Sequence, residues 1–401
     1  MNVTMHELPI YLDYNATTPC DPAVAAEMLP FFTRQFGNAA SRNHAYGWMA
    51  EEAVAKARKQ VAGLIGAEDK EIVFTSGATE SDNLALKGIM ALYARKGKHL
   101  ITAKTEHKAV LDTCYHLEKS GYEVTYLETG ADGLLNPETL EDAIRPDTVL
   151  VSVMWANNET GVIQPMAEIG EICARHGVLL MSDATQAVGK IPVDPRACGV
   201  HLMAFSAHKM YGPKGVGGLY VSRKSPRVRL AIQQHGGGHE DGLRSGTLNV
   251  PGIVGFGKAA ELALAGLETE AQRLGALRDR FESTLLGQLD ELYINGAKDR
   301  RLPHVSNLSF RYLDSEAILG ALNRKIAAAT GSACSSATLE PSHVLLAMGQ
   351  SEEQARSAIR FSFGRFSTVE EAEKAAEWLI EAVKRLREKS PVWELFKEGL
   401  I

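Results

Sequence analysis

The feature that most constrains this chain is a rhythm in its first half. A short apolar run gives way to a polar or glycine-bearing stretch, and a helical pattern follows. The runs fall at 72–75, 99–103, 122–127, 148–154, the V-L-L-M-S before Asp183, 202–205 and 217–221. The run at 148–154, T-V-L-V-S-V-M, is nearly all apolar, as strands covered on both faces are. The spacing therefore predicts an α/β chain whose mainly parallel sheet lies between helices. In such sheets ligands bind at the carboxyl ends of the strands. Thr79, His107, Asn158, Asp183 and Lys209 all fall at those ends. Their convergence on one edge carries more weight than any one of them.

Lys209 stands in H-L-M-A-F-S-A-H-K-M-Y-G-P-K-G, straight after a buried-looking strand. One reading is an amine that forms a Schiff base, its pKa lowered by desolvation and neighbours. The other is an ordinary lysine at a strand end. Asp183, closing another apolar strand, could hold a pyridinium nitrogen in its charged form, as a pyridoxal phosphate (PLP) electron sink requires. Small residues Ser76 to Thr79 between a strand and a helix read as an anion site at a helix N-terminus, or as an N-cap with Glu80 completing the first turn. His107 could stack on a ring or carry a proton. Asn158 could bond a ring oxygen or a substrate carboxylate, or mark a turn. Asn38, in the polar stretch 36–48, reads as a turn residue or a ligand. Five glycines within 236–247 precede Thr247, a second phosphate candidate. Arg360 lies in an otherwise apolar strand, where it must meet a partner: a substrate carboxylate or an internal ion pair.

Five cysteines include no C-x-x-C pair, so zinc and disulfide frameworks are not expected, and a reducing cytoplasm is. Cys334 lies among Ala, Gly, Ser and Thr with no bulky apolar neighbour, unlike a core cysteine. It reads as a reactive thiol on a loop that can move, and the other four as inert. The net charge of −6 gives no reason to expect nucleic acid. No uninterrupted apolar run approaches the ~18 residues of a membrane span, and no secretory signal is legible. Helical pattern covers 49–65, 252–290 (as one helix or two), 315–324 and a last helix from Ser367, with strands near 304–310 and 358–363. A shift to charged residues inside 252–290 places a domain boundary near 262. The expected division is a large domain over 16–262, and a small α+β domain from 1–15 and 263–401 carrying a cysteine loop at about 328–343.

These motifs together resemble the PLP-dependent cysteine desulfurases of the IscS/NifS type, in the class-V aminotransferase group of PLP fold type I. The likeness runs from Y-L-D-Y-N-A-T-T-P to S-P-V-W-E-L-F. It includes S-G-A-T-E-S-D-N, T-E-H-K-A-V-L-D-T, A-N-N-E-T-G, D-A-T-Q, H-K-M-Y-G-P-K-G and G-S-A-C-S-S-A-T-L-E-P-S-H. The resemblance implies that Lys209 is the Schiff-base lysine, that Asp183 pairs with the pyridinium nitrogen, and that His107 stacks on the ring and moves protons. It implies that Gln186 bonds the ring's phenolic oxygen. Ala78, Thr79, Ser206 and His208 would hold the phosphate, with Thr247 supplied by the second subunit of a homodimer. Asn158, Arg360 and Asn38 would receive the substrate carboxylate. Cys334 would take sulfur from L-cysteine as a persulfide, leaving L-alanine. It would pass the sulfur to an acceptor such as an iron–sulfur scaffold or a tRNA-thiolation protein. A PLP aminotransferase or β-lyase of a small amino acid is the rival reading, and a non-catalytic relay protein the rival from another class.

Overall fold

The computed structural model describes residues 8–224, 226–330 and 340–400. In the first half its strands are β1 (Ile10–Tyr11), β2 (Ile72–Thr75), β3 (His99–Ala103), β4 (Glu123–Leu127) and β5 (Thr148–Ser152). They continue with β6 (Leu179–Asp183), β7 (Leu202–Ser206) and β8 (Gly217–Val221). The last five are β9 (Leu292–Ile294), β10 (Val305–Phe310), β11 (Ile326–Ala327), β12 (Ala329–Thr330) and β13 (Ala358–Ser362).

The large sheet has the order β2-β8-β7-β6-β5-β3-β4. Pairing is parallel from β7 across to β4, and β8 runs antiparallel to both its neighbours. All strands except the edge strand β4 are buried along their length. Successive side chains serve opposite faces, as the pleat requires. Ile72, Phe74, Ile101, Leu180, Met203 and Phe205 join one core, whereas Val73, Leu100, Met181 and Leu202 join another. The sheet is therefore sandwiched between helices, as the apolar runs predict.

The second half builds a four-stranded antiparallel sheet, β12-β13-β10-β9, with its own core around Leu308, Phe310, Ile359 and Phe361. The N-terminal segment belongs to this part: β1 pairs with β11, and Leu12 joins the same core. Between the halves runs one unbroken helix, Val250–Leu286, of 37 residues. Its first half, through Ala263, packs in the large core; Leu274, Leu277, Phe281 and Leu285 pack in the second. By length and composition it could cross a bilayer, but 56% of its most apolar window is buried inside the protein.

Three local readings shift. The helix expected from residue 49 starts at Ala45, because His44 Nδ1 caps it by accepting from Gly47 N at 3.2 Å. The capping box of helix Val369–Arg387 is Thr368 with Glu371, one residue later than the Ser367–Glu370 pattern. That helix is not the last: Pro391–Lys397 follows, capped by Ser390.

Candidate active site

The carboxyl edge of the large sheet opens on a cleft of about 440 Å³. Ala78 and Thr79 reach it from the end of β2, His107 from β3, and Asn158 from β5. Asp183 and Gln186 reach it from β6, and Ser206, His208 and Lys209 from β7. Arg360, on β13 of the other sheet, lines it too. Ten of the predicted positions thus meet in one place.

One corner suits an anion. Helix Ala78–Leu92 starts at Gly77 with no side-chain cap, so its first amides and its dipole remain available. Ser206 and His208 stand beside it. Burial, then the charges of Lys209 and Lys214, push the His208 pKa down to about 4, so this imidazole is neutral. Its Nδ1 lies 3.1 Å from Thr17 Oγ1. Glu80 is engaged elsewhere, accepting from Ser76 N and from Arg244 Nε at 2.7 Å each. The tightness depends on Gly217, where a Cβ would lie 2.6 Å from Gly77 Cα.

The rest of the cleft holds several titratable groups. Asp183, 5% exposed, accepts from Thr185 N at 2.9 Å. His107 caps helix Lys108–Lys119, its Nδ1 accepting from Ala109 N at 3.1 Å, which leaves Nε2 as the nitrogen able to donate. Lys209 Nζ donates to Asn15 O at 2.6 Å and to Ala16 O at 2.9 Å. Gln186 Nε2 donates to the same Asn15 carbonyl at 3.0 Å. Behind Asp183 lie two further buried carboxyls, Asp82 and Glu106. Desolvation, reinforced by the charge of Asp183, raises both well above the usual carboxylate range.

Arg360 makes the internal ion pair that the sequence left as one of two options. It donates to Asp13 Oδ1 at 2.6 Å and to Asn158 O at 2.9 Å, while its Nε has no partner among the described residues. Asn158 Oδ1 and Thr185 Oγ1 are likewise buried and unpartnered there. These orphan groups beside the cleft are what a bound polar ligand would satisfy.

Two predicted residues are not brought into the cleft. Asn38 is exposed and turns its Oδ1 to Ala40 N at 2.9 Å, so within this chain it is the turn residue. Thr247 is exposed on the glycine-rich loop. That loop is pinned through Glu240, which is paired with Arg58 and accepts from Phe74 N at 2.7 Å. Cys334 lies outside the described residues. Asn15, Asp13 and Lys214 were missed as site residues. Asn15 and Asp13 sit in an N-terminal turn that no strand-end rule singles out, and their partners are remote in sequence.

The sequence profile described as Aminotransferase class-V matches residues 10–374. The chain belongs to that family, on its IscS/NifS-type cysteine desulfurase branch. The cysteine desulfurase IscS of Anaeromyxobacter dehalogenans (strain 2CP-C) is 58% identical over 394 residues, covering 98% of this chain and 97% of the relative. A solved structure described as a NifS-like protein matches with TM-score 0.86 at 37% identity, covering 94% of this chain and 99% of the other. A structure described as SspA in complex with cysteine matches with TM-score 0.79 at 36% identity, covering 89% and 99%. The fold is that of PLP fold type I, and the family's enzymes depend on PLP. The cleft fits that cofactor: an uncapped helix for a phosphate, a carboxylate for a ring nitrogen, a flat imidazole and a lysine.

Proposed function

We propose that this enzyme removes sulfur from L-cysteine, releases L-alanine and carries the sulfur on Cys334 to an acceptor protein. The observation that carries the reading is the meeting of Lys209, Asp183, His107, the anion corner and Arg360 in one cleft. PLP would be held by Ala78, Thr79, Ser206 and His208 at its phosphate, by Asp183 and Gln186 at its ring, and by Lys209 covalently. When bound, it supplies an electron sink for charge developed at the substrate Cα. Thr247 of a partner copy would complete the phosphate site. A homodimer is supported by exposed apolar side chains on neighbouring segments, Leu29, Phe32, Phe36 and Trp48, each more than half exposed. Sedimentation at a mass of two chains checks it.

The chain's own groups divide the work. Arg360 and Asn158 line the cleft, and the Arg360 Nε–H and the Asn158 Nδ2–H would donate to a carboxylate. Lys209 Nζ and His107 Nε2 would take a proton from Cα and return one to Cβ. The Cys334 thiolate attacks the substrate sulfur: an S–S bond forms, the Cβ–S bond breaks, and Cβ gains a proton. Cysteine plus the Cys334 thiol thus balances to alanine plus a persulfide.

The described chain on both sides of the cysteine segment contacts cleft residues or their neighbours. Ala329 of β12 pairs with Arg360, and Thr330 follows it. On the return, Ser342 Oγ bonds Glu159 Oε2 at 2.5 Å, and His343 Nε2 lies 3.0 Å from Glu106 O, next to His107. The other cysteines suit the role poorly. Burial raises the thiols of Cys114, Cys173 (to about 12) and Cys198, and burial with the Asp21 charge raises Cys20, whereas the thiolate is the nucleophile.

The test is a trap. After incubation with cysteine and digestion without reductant, mass spectrometry should find the extra sulfur on the Cys334 peptide. A Cys334→Ser variant should keep the visible absorbance of bound PLP and release neither alanine nor sulfide. Full turnover by that variant would end the proposal. Whether the acceptor is an iron–sulfur scaffold or a tRNA-thiolation protein is read by sulfur transfer to each in turn. The cores on the two faces of the large sheet, set against the separate core of the second sheet, support a large domain over 16–262 and a small one over the rest, and the four described cysteines, all unpaired, support a cytoplasmic location.

A further inference from the structure

Asn15 is 1% exposed, and every hydrogen-bonding group it owns is engaged. Its N–H donates to Ser362 Oγ at 2.9 Å. Its Nδ2 donates to Asn158 O at 3.0 Å, and its Oδ1 lies 2.9 Å from His304 Nε2. Its carbonyl receives Lys209 Nζ at 2.6 Å and Gln186 Nε2 at 3.0 Å. These partners come from opposite halves of the molecule: Lys209, Gln186 and Asn158 follow strands of the large sheet, and Ser362 and His304 adjoin the second.

Chemistry fixes the direction of the His304 contact. Asn15 Oδ1 only accepts, so the imidazole carries its proton on Nε2. His304 is 1% exposed and its Nδ1 is unpartnered among the described residues. Burial, with Lys190, Arg278 and Arg360 nearby, keeps the ring neutral. A neutral, buried donor orients an amide without adding charge next to the lysine. The amide in turn braces Asn158, whose carbonyl also receives Arg360 Nη1 at 2.9 Å.

We infer that Asn15 is a positioning residue for the lysine: its carbonyl sets the Lys209 amine against Gln186, and its amide, oriented by the His304 N–H, locks that carbonyl to Asn158 and the second sheet. The inference rests on the reading that Lys209 carries PLP. Asn15 touches the lysine through its backbone, so its side chain acts at one remove.

Four variants of the full-length enzyme test it, each reconstituted with PLP. The measurements are the pH midpoint of the visible absorbance of lysine-bound PLP and the rate of PLP release to an apo-enzyme trap. Melting of the cofactor-free protein is followed in parallel. Asn15→Ala and His304→Leu should shift the midpoint by about 0.4–1 unit and speed release up to about tenfold, the size of one or two neutral hydrogen bonds. His304→Gln, which keeps an N–H donor, should hold both near wild type. If Asn15→Ala does not fold, the His304 pair decides alone. Wild-type midpoint and release in both Asn15→Ala and His304→Leu, with only melting lowered, would make Asn15 a structural residue and overturn the inference. Lys209→Ala separates the two levels. Retained lysine-type absorbance there would sink the PLP–Lys209 reading itself, whereas its loss beside unshifted Asn15 and His304 variants would sink only the present inference.

Discussion

The cleft has two sides of different construction. On the large-sheet side each functional group stands at a strand end, within a few residues of a backbone position set by parallel pairing. On the other side Arg360 sits in the middle of β13, Asn15 in a turn near the N-terminus, and Ser342 at the head of a short helix. The first side is held by local geometry: a helix start, a histidine cap, a strand terminus. The second is held by contacts across most of the chain, such as Asn15 with Ser362 and Arg360 with Asp13. Positions that must not move relative to a cofactor lie on the rigid sheet edge. On the proposed function, Arg360, which would receive the substrate carboxylate together with Asn158, comes from the other body with its separate core.

The largest expected effect is on the sheet side. Lys209→Ala should remove the absorbance of lysine-bound PLP and lower turnover by about 10⁴-fold, the upper end for losing a positioned proton carrier. Its melting temperature without cofactor should change little, because the amine bonds two carbonyls at a cleft wall. A variant with normal absorbance would break the contrast by moving the essential amine elsewhere. Arg360→Ala should instead show a mixed loss. KM for cysteine should rise at least tenfold, and stability should fall by about 3–5 kcal/mol, because Asp13 is left without its buried partner. Unaltered stability would mean that the Asp13 pair does not hold the two sides together.

Lys190 probes the junction. Burial pushes its pKa down to about 8, and its Nζ lies 3.4 Å from the Tyr211 hydroxyl, which also receives Arg365 N. The folded value lies below the unfolded one near 10.4, so the fold disfavours the charged amine. Stability should therefore be lower below pH 8 and recover as pH rises from about 8 to about 10.4. Lys190→Met should be the more stable form at pH 7, by at most about 3 kcal/mol, less whatever the Tyr211 contact contributes. The advantage should shrink across that pH range. Urea melts of both proteins at several pH values check it; an advantage independent of pH would refute the sign.

The same contrast explains what was legible in the sequence. The large sheet, its covered strands and the chemistry at their ends follow from period and composition, because β-strands and helix starts write short-range patterns. Thr79, His107, Asp183 and Lys209 could be found that way. The unbroken helix through residue 262 was only half legible, since its periodicity continues while its packing partner changes. Asn15 could not be found: its partners lie 143 to 347 positions away, and nothing in Y-N-A-T-T distinguishes a hub from a turn. Arg360 read correctly as needing a partner, but whether that was Asp13 depended on the pairing of β1 with β11. Asp82 left no signal either: it lies past the first turn of helix Ala78–Leu92, where an acid ordinarily faces solvent, and only the fold shows it buried.

Asp82 supplies the smallest expected effect and the sharpest test of how the sheet side is charged. It is fully buried, and neither carboxyl oxygen has a hydrogen-bond partner among the described residues. Burial and the charges of Asp183 and Glu106 hold its pKa well above the usual value. A carboxyl whose folded pKa is raised contributes most to stability below the unfolded pKa near 4, and that contribution is lost as pH rises. Asp82→Asn keeps the shape and removes the proton uptake. The variant should gain on wild type as pH climbs from about 4 toward neutrality, with PLP absorbance and KM close to unchanged. A constant difference across that range would mean that Asp82 is ionised in the fold. Two buried negative charges would then stand behind the ring nitrogen, and the division between one working carboxylate and two silent ones would be wrong.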